Sequence, residues 1–80
     1  MKCVYLLQSL SNPDKRYIGK TSDLKSRLSE HNAGKSPLTA QFRPWKMVVA
    51  VYFADDKKAH LFERYLKDGS GHAFANRHFW

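Results

Sequence analysis

A small set of polar side chains along this chain could together hydrolyse a phosphodiester bond. Arg27 and His31 are spaced i and i+4 in a stretch typical of a helix, so both lie on one stripe. A guanidinium there could hold phosphate oxygens by a two-pronged contact. Tyr5 and Tyr17 supply phenol groups, and Glu63 supplies a carboxylate beside an apolar helix face, where it needs a partner or a cation. These are the donors, the acceptor and the cation ligand that such a hydrolysis requires.

Each of these residues also has a simpler interpretation. Arg27 and His31 could belong to a solvated helix face, and Glu63 could form an ion pair with Lys67 at i+4. Buried tyrosines usually pack and donate hydrogen bonds to the backbone. The functional hypothesis therefore depends on the whole set lying together.

The first elements predict a β-hairpin followed by a helix. "CVYLLQS" and "RYIGKT" are strand-like runs joined by the turn residues of "LSNPDK", which places Tyr5 and Tyr17 on adjacent strands. "TSDLKSRLSEHNAG" predicts a helix capped by Thr21 or Ser22 and ending near Gly34.

The second half predicts a loop, a strand and helices. "KSPLTAQFRP" is typical of a loop, "WKMVVAVYF" of a strand buried on much of both faces, and "DDKKAHLFERYLKDG" of a helix ended by Gly69. The tail predicts a last short helix. This order favours an α+β fold, a small three-stranded antiparallel sheet flanked by helices. The expected core residues are Val4, Leu6, Ile18, Leu24, Leu28, Val48, Val49, Val51, Phe53, Leu61, Phe62 and Leu66.

Composition narrows the class of protein. A chain of 80 residues fits one domain, 1–80, and its formal charge of +7 favours an anionic partner such as nucleic acid. No apolar run is long enough for a membrane span, and the N-terminus does not match a signal peptide. With Cys3 as its single cysteine, we expect a protein of the cytoplasm, a reducing compartment. The oligomeric state stays open.

The ordered motifs resemble a known family. "VYLL", then "YIGKTSDLKSRLSEH", then "FERYLKDGSGHAF" are similar to the GIY-YIG nucleases, in particular to their small single-domain members, and the resemblance covers nearly the whole chain. The first triplet departs from the family pattern, because Cys3-Val4-Tyr5 stands in place of Gly-Ile-Tyr, but it keeps the tyrosine. Asn76 matches an asparagine that many active members place near the C-terminus, although its register is open.

The resemblance implies an endonuclease that uses one divalent metal ion, Mg²⁺ or Mn²⁺, held by Glu63. Tyr5, with help from Tyr17 or His31, would deprotonate or position an attacking water, and Arg27 would hold the phosphoryl oxygens. The substrate would be nucleic acid, with DNA the expected form, bound with low sequence specificity, because side chains suited to phosphates position the duplex without reading bases. The candidates for those contacts are Lys15, Lys20, Lys25, Lys35 and Arg43.

Two other functions remain open at this point. The chain could be a catalytically inactive nucleic-acid-binding module of the same fold. It could also be a protein-interaction module that docks a partner through exposed aromatic residues such as Trp45 and Trp80.

Overall fold

A computed structural model describes all residues of the chain, 1–80. The strands are β1 (Lys2–Ser9), β2 (Arg16–Thr21) and β3 (Trp45–Phe53). The helices are α1 (Leu24–Asn32), the single turn α2 (Pro37–Ala40), α3 (Asp56–Leu66) and α4 (Gly69–His78). The α+β fold with a three-stranded antiparallel sheet is confirmed. No helix combines the length and the apolar character needed to cross a bilayer.

The sheet has the order β2-β1-β3, so β2 and β3 are its edges. Central strand β1 is almost wholly buried, which explains its run of apolar residues. Tyr5 lies opposite Gly19, and Leu7 lies opposite Tyr17. Cross-strand neighbours project to the same face, and residues two apart on one strand do too. Tyr5 and Tyr17 therefore share one face of the sheet.

Alternation along β1 divides the core into two layers. Val4 and Leu6 pack with Ala59 and Leu66 of α3, and with Ala75 of α4. The intervening residues of β1, which are Cys3, Tyr5 and Leu7, project to the opposite face. There they cluster with Trp45 of β3, and Leu24 and Leu28 of α1 pack against this cluster. Helices α1 and α3 thus cover opposite faces of the sheet.

Aspartates begin the three longer helices. The side chains of Asp23, Asp55 and Asp68 each accept a hydrogen bond from a backbone N–H in the first turn of the following helix. The prediction that Thr21 or Ser22 caps α1 is therefore wrong. The Thr21 hydroxyl instead accepts from the Asp23 N–H at 3.0 Å and supports the residue that does cap the helix.

Several expectations for the second half need correction. Helix α3 ends at Leu66 with Lys67 as its C-cap, and Gly69 is the first residue of α4, so Gly69 does not end α3. The expected loop contains α2, which is too short for a sequence pattern to reveal. Leu61 is 62% exposed and lies outside the core, because Ala59 and Leu66 define the face of α3 that meets the sheet.

Candidate active site

The two tyrosines and the histidine of the predicted set form one aromatic cluster. The ring centroids of Tyr17 and His31 lie 4.8 Å apart in an edge-on arrangement, and those of Tyr5 and Tyr17 lie 6.1 Å apart. Tyr5 and His31 are completely buried, whereas Tyr17 is half-buried at edge strand β2. His31 is thus a buried residue, not part of a solvated helix face.

Gly19 makes the space that the Tyr5 hydroxyl occupies. A Cβ added at Gly19 would collide with Tyr5 Oη and would lie 2.8 Å from the Tyr17 ring. Any side chain at this position would push both rings aside. Gly19 of "RYIGKT" therefore belongs to the wall of the cluster, where its lack of a side chain is what the packing requires.

The hydrogen-bond partners of Thr39 allow the direction of proton donation through the cluster to be assigned. The Thr39 hydroxyl lies 3.4 Å from the Ser36 carbonyl oxygen, to which it donates, so it accepts from His31 Nδ1–H at 2.8 Å. We therefore assign the neutral imidazole with its proton on Nδ1. His31 Nε2 is left as an acceptor, and the Tyr5 hydroxyl donates to it at 2.9 Å.

Neighbouring hydrogen bonds hold this arrangement in place. The side chain of Asn32, the last residue of α1, accepts from the Trp45 N–H at 2.6 Å and donates to the Trp45 carbonyl at 3.2 Å. Trp45 Nε1 in turn donates to the Thr39 carbonyl at 2.9 Å. Trp45 is only 4% exposed, so the expectation that it docks a partner as an exposed aromatic is wrong. It joins α1, α2 and β3 around His31.

Burial and charge set the protonation states. Burial raises the pKa of Tyr5 to about 12, against the opposing effect of the Arg27 guanidinium. Burial also lowers the pKa of His31, and the charge of Arg27 lowers it further. At neutral pH the phenol is therefore protonated and the imidazole is neutral, which is the state that the hydrogen bond between them needs.

Arg27 lies at the open margin of the cluster. Its guanidinium donates to Glu30 Oε1 at 3.0 Å, and its side chain is 40% exposed. The Tyr5 hydroxyl and then Glu30 raise the pKa of Arg27 above its ordinary value, so it is permanently charged. Arg27 lines two open polar clefts, one shared with Lys2 and Lys20 and the other with Lys35.

Glu63 lies across edge strand β2 from this cluster. Its helix, α3, packs on the opposite face of the sheet from Tyr5. His60 and Lys67 lie about one helical turn to either side of Glu63, and both meet β2: His60 Nδ1 is 3.0 Å from Lys20 Nζ, and Lys67 shares a cavity with Tyr17. Glu63 therefore lies on the α3 side of β2, and its hydrogen-bond partner is Lys67, not His31. Lys67 Nζ donates to Glu63 Oε2 at 3.3 Å, the ion pair that the simpler interpretation anticipated.

The remaining predicted residues are more dispersed. Lys20 and Lys35 flank Arg27, and Lys25 lies on the exposed side of α1. Lys15 packs over the Phe42 ring at 5.3 Å from its centroid, and the exposed Arg43 approaches Gly34. Their role as nucleic-acid contacts stays a prediction.

Asn76 lies apart from the phenol cluster. It is on α4, where its Oδ1 accepts from the Arg16 guanidinium at 3.2 Å. We find no contact between Asn76 and the tyrosines or His31 among the hydrogen bonds of the chain. Its position favours a role in holding Arg16.

Sequence reasoning missed two residues near the site. Thr39 orients His31, and its segment "KSPLTAQFRP" gave no signal beyond that of a loop. Lys2 lines the cleft beside Lys20 and Arg27, although it precedes the first recognised motif.

Comparison with known proteins agrees with the resemblance. Residues 1–76 match the family described as the GIY-YIG catalytic domain. The structure-specific endonuclease subunit SLX1 of Scheffersomyces stipitis is 45% identical over 64 residues, which cover 72% of this chain and 19% of the relative. The protein of the same name from Candida dubliniensis is 40% identical over 82 residues, covering 94% of this chain and 27% of the relative.

The chain therefore spans only about a fifth to a quarter of the length of these curated relatives. The family match, by contrast, extends over both tyrosines, Arg27, His31 and Glu63. On that match, together with the three-stranded antiparallel sheet and its flanking helices, the chain belongs to the GIY-YIG family.

Proposed function

We propose that this chain is an endonuclease that hydrolyses phosphodiester bonds in nucleic acid, with DNA as the substrate. The observation that carries the proposal is the hydrogen bond from the buried Tyr5 hydroxyl to neutral His31, with the Arg27 cation at the open margin. Family membership supports it, since the matched domain is a catalytic one.

Tyr5 and His31 form the proton path. A phenol whose pKa is about 12 is a poor base when it must ionise alone. Tyr5 Oη is shielded from bulk solvent, so the attacking water would enter with the substrate at the Arg27 margin. Oη would then accept a proton from this water while the phenol's own proton passes to His31 Nε2. The imidazole becomes imidazolium, and no free phenolate accumulates. The geometry favours His31 over Tyr17 as the group that assists Tyr5, because the Tyr5 hydroxyl donates to His31.

Arg27 would hold the phosphoryl oxygens as negative charge develops on them. Its hydrogen bond to Glu30 leaves other N–H donors of the guanidinium free for a two-pronged contact. Lys20 and Lys35, on the two clefts beside it, would contact neighbouring phosphates.

The residues present fit a divalent cation held mainly by water and substrate. No group of three or more His, Cys, Asp or Glu side chains could hold an ion by itself. Mg²⁺ commonly takes one or two carboxylates and completes its coordination with waters and phosphate oxygens, so one carboxylate is sufficient. Glu63, whose side chain is 17% exposed, would hold Mg²⁺ or Mn²⁺ at the β2 edge after release from Lys67, and the substrate would then span β2 between Glu63 and Arg27. When bound, the ion would polarise the scissile phosphate.

The substrate class is proposed from the relatives and from the surface. The relatives are named as structure-specific endonuclease subunits, so we propose a branched or partly single-stranded DNA substrate and a partner polypeptide. The exposed cations suit phosphates, which supports low sequence specificity. The free, buried Cys3 supports action in the cytoplasm, a reducing compartment.

A catalytically inactive nucleic-acid-binding module is the second candidate, and one observation favours it. The Glu63–Lys67 ion pair occupies the carboxylate that the reaction needs. Both candidates keep the basic surface and differ only in cleavage.

A cleavage assay separates the two candidates. Labelled flap, duplex and single-stranded DNA would be incubated with the protein in Mg²⁺, in Mn²⁺ or with a chelator, beside Glu63→Gln. We expect metal-dependent cleavage of the flap that Glu63→Gln abolishes, with DNA binding nearly intact. Binding without cleavage under every condition would support the inactive module. Cleavage by Glu63→Gln at the parent rate would contradict the metal role.

A further inference from the structure

A second concave surface lies at the open edge of strand β2, beside the phenol cluster. It is a cavity of about 310 Å³, which we call the β2-edge cavity, lined by Arg16, Tyr17, Ile18, Lys67, His72 and Trp80. Its volume is at the lower end of the range of roughly 300–1,000 Å³ in which small ligands bind. The reaction proposed above uses none of these residues as a reacting group, and Lys67 enters it only as the ion-pair partner of Glu63.

The charged groups around this cavity favour an anion. Arg16 and Lys67 are the cations that line it, His72 adds an imidazole, and no carboxylate lines it. Glu63 forms an ion pair with Lys67 and offsets part of its charge, but the Arg16 guanidinium has no acidic partner. A phosphate group is the anion that a guanidinium and an ammonium would hold together.

Arg16 is held in a fixed orientation. Its guanidinium carbon lies 4.8 Å from the centroid of the Trp80 ring, and the guanidinium donates to Asn76 Oδ1 at 3.2 Å. An exposed arginine that is both stacked and hydrogen-bonded loses little further freedom when it binds a ligand. The one donor used by Asn76 leaves others for a phosphate.

The aromatic rings favour a base beside that phosphate. Tyr17 and Trp80 both line the cavity and both are half-buried. Unpaired bases commonly stack on aromatic rings or on arginine guanidinium planes. A paired base inside a duplex does not expose its face in this way, so the combination suits an unpaired nucleotide.

Tyr17 connects the cavity to the reaction centre. The Tyr17 ring packs edge-on against His31, and Tyr17 is also one of the residues that line the β2-edge cavity. A strand whose scissile phosphate lies at Arg27 could therefore continue past Tyr17 into this cavity.

We propose that the β2-edge cavity binds an unpaired nucleotide of the DNA substrate next to the scissile phosphate. Its phosphate contacts Arg16 and Lys67, and its base stacks beside Tyr17 on the Arg16 guanidinium that Trp80 supports. The inference rests on the proposed nuclease function. It adds that the β2-edge cavity selects strands that carry an unpaired segment. Asn76 acts here as a positioning residue for Arg16.

Nuclear magnetic resonance of the whole chain without divalent metal tests this site, since binding is read out with no cleavage. The Trp80 indole N–H signal would be followed during titration with a short oligothymidylate, a blunt duplex and inorganic phosphate. The buried Trp45 indole serves as the internal reference. We expect oligothymidylate to shift the Trp80 signal at concentrations where the blunt duplex does not.

Arg16→Ala should weaken oligothymidylate binding about 10-fold, since base stacking and a phosphate contact are both lost. Lys46→Ala is the matched control, because Lys46 is an exposed cation on β3, the opposite edge of the sheet. The proposal would be overturned if the Trp80 signal did not respond to oligothymidylate, or if it responded equally to the blunt duplex or to phosphate alone. Equal weakening of binding by Arg16→Ala and Lys46→Ala would also overturn it.

The two proposals can fail separately. Selective binding of oligothymidylate by a chain that cleaves nothing would remove the nuclease function and leave the nucleotide site. Cleavage of flap DNA by a chain whose Trp80 signal does not respond to oligothymidylate would remove the nucleotide site and leave the nuclease function.

Discussion

The Tyr5 hydroxyl donates a hydrogen bond of 2.9 Å to His31 Nε2, and both side chains are completely shielded from solvent. These residues are 26 positions apart in sequence. The bond continues through His31 Nδ1–H to the Thr39 hydroxyl, so three side chains form one directed path. The direction matters because it leaves the imidazole ready to receive a proton from the phenol.

Replacing Thr39 with Val should impair this path without removing any proposed reacting group. The methyl group cannot accept from His31 Nδ1–H, so the tautomer that accepts from Tyr5 loses its support. We expect cleavage to fall about 10-fold or more, as when the orienting partner of a catalytic histidine is lost. The ¹⁵N signals of the His31 ring should show a mixture of tautomers.

Thr39→Ser is the control for that experiment, because it keeps the hydroxyl and should retain most of the activity. A Val variant that keeps both the parent rate and the parent tautomer would show that Thr39 only packs.

Protonation of His31 should destabilise the fold as the pH falls. The folded-state pKa of His31 lies below its ordinary value of about 6.5, so between the two values the unfolded chain binds more protons than the folded chain. The free energy of unfolding should therefore decline as pH drops below about 6.5. Urea unfolding between pH 5 and pH 8 measures this.

His31→Gln provides the comparison for the pH series. Its side chain does not titrate in this range, so the variant should lose the part of the slope that His31 contributes. Parallel slopes for the two proteins would mean that His31 does not titrate differently on folding.

Arg27→Ala should lower the cleavage rate about 100-fold or more if the guanidinium stabilises the transition state. Stability should change little, because an exposed ion pair such as Arg27–Glu30 contributes at most about 1 kcal/mol. Single-turnover rates at saturating DNA separate this effect from binding. Lys25→Ala, an exposed cation on the same helix, should cut at the parent rate under those conditions.

DNA affinity should be tolerant of sequence and should fall steeply with salt. Lys20 and Lys35 on either side of Arg27 would each neutralise about one phosphate, so removing either should lower the slope of log K against log[salt] by about 1. Fluorescence anisotropy with unrelated duplexes across a salt series gives both quantities. Tight binding to a single duplex sequence at high salt would show that this surface reads bases.

Most of the fold follows from local sequence signals. Strand β3 was predicted with the observed bounds, Trp45–Phe53, because a β-branched apolar run is unambiguous there. The predicted N-cap of α1 was wrong because Thr21, Ser22 and Asp23 are three consecutive residues that all cap helices well, and Asp23 is the one that does. Leu61 was misplaced because it is adjacent to Phe62, and only docking decides which face of α3 meets the sheet.

The site was harder to predict than the fold. The i,i+4 spacing placed Arg27 and His31 on one stripe, yet it could not show that His31 is buried and Arg27 partly exposed. The contact between His31 and Thr39 crosses a loop, and the contact between Arg16 and Asn76 joins residues 60 apart, so neither leaves a local pattern. Tyr5 and Glu63 lie on opposite sides of the sheet. Strand alternation gives the face of Tyr5, but only helix packing shows that α3, which carries Glu63, covers the other face.

The central claim is that Tyr5, bonded to His31, moves the proton of the attacking water. Single-turnover cleavage of flap DNA in Mg²⁺ by Tyr5→Phe and by the parent tests it most directly. The variant should fold, although an unpaired His31 acceptor would cost about 1–3 kcal/mol of stability, and it should bind DNA as the parent does. We predict a rate at least about 100-fold lower, the usual contribution of general acid–base catalysis. A folded Tyr5→Phe variant that cleaves at the parent rate would contradict the account.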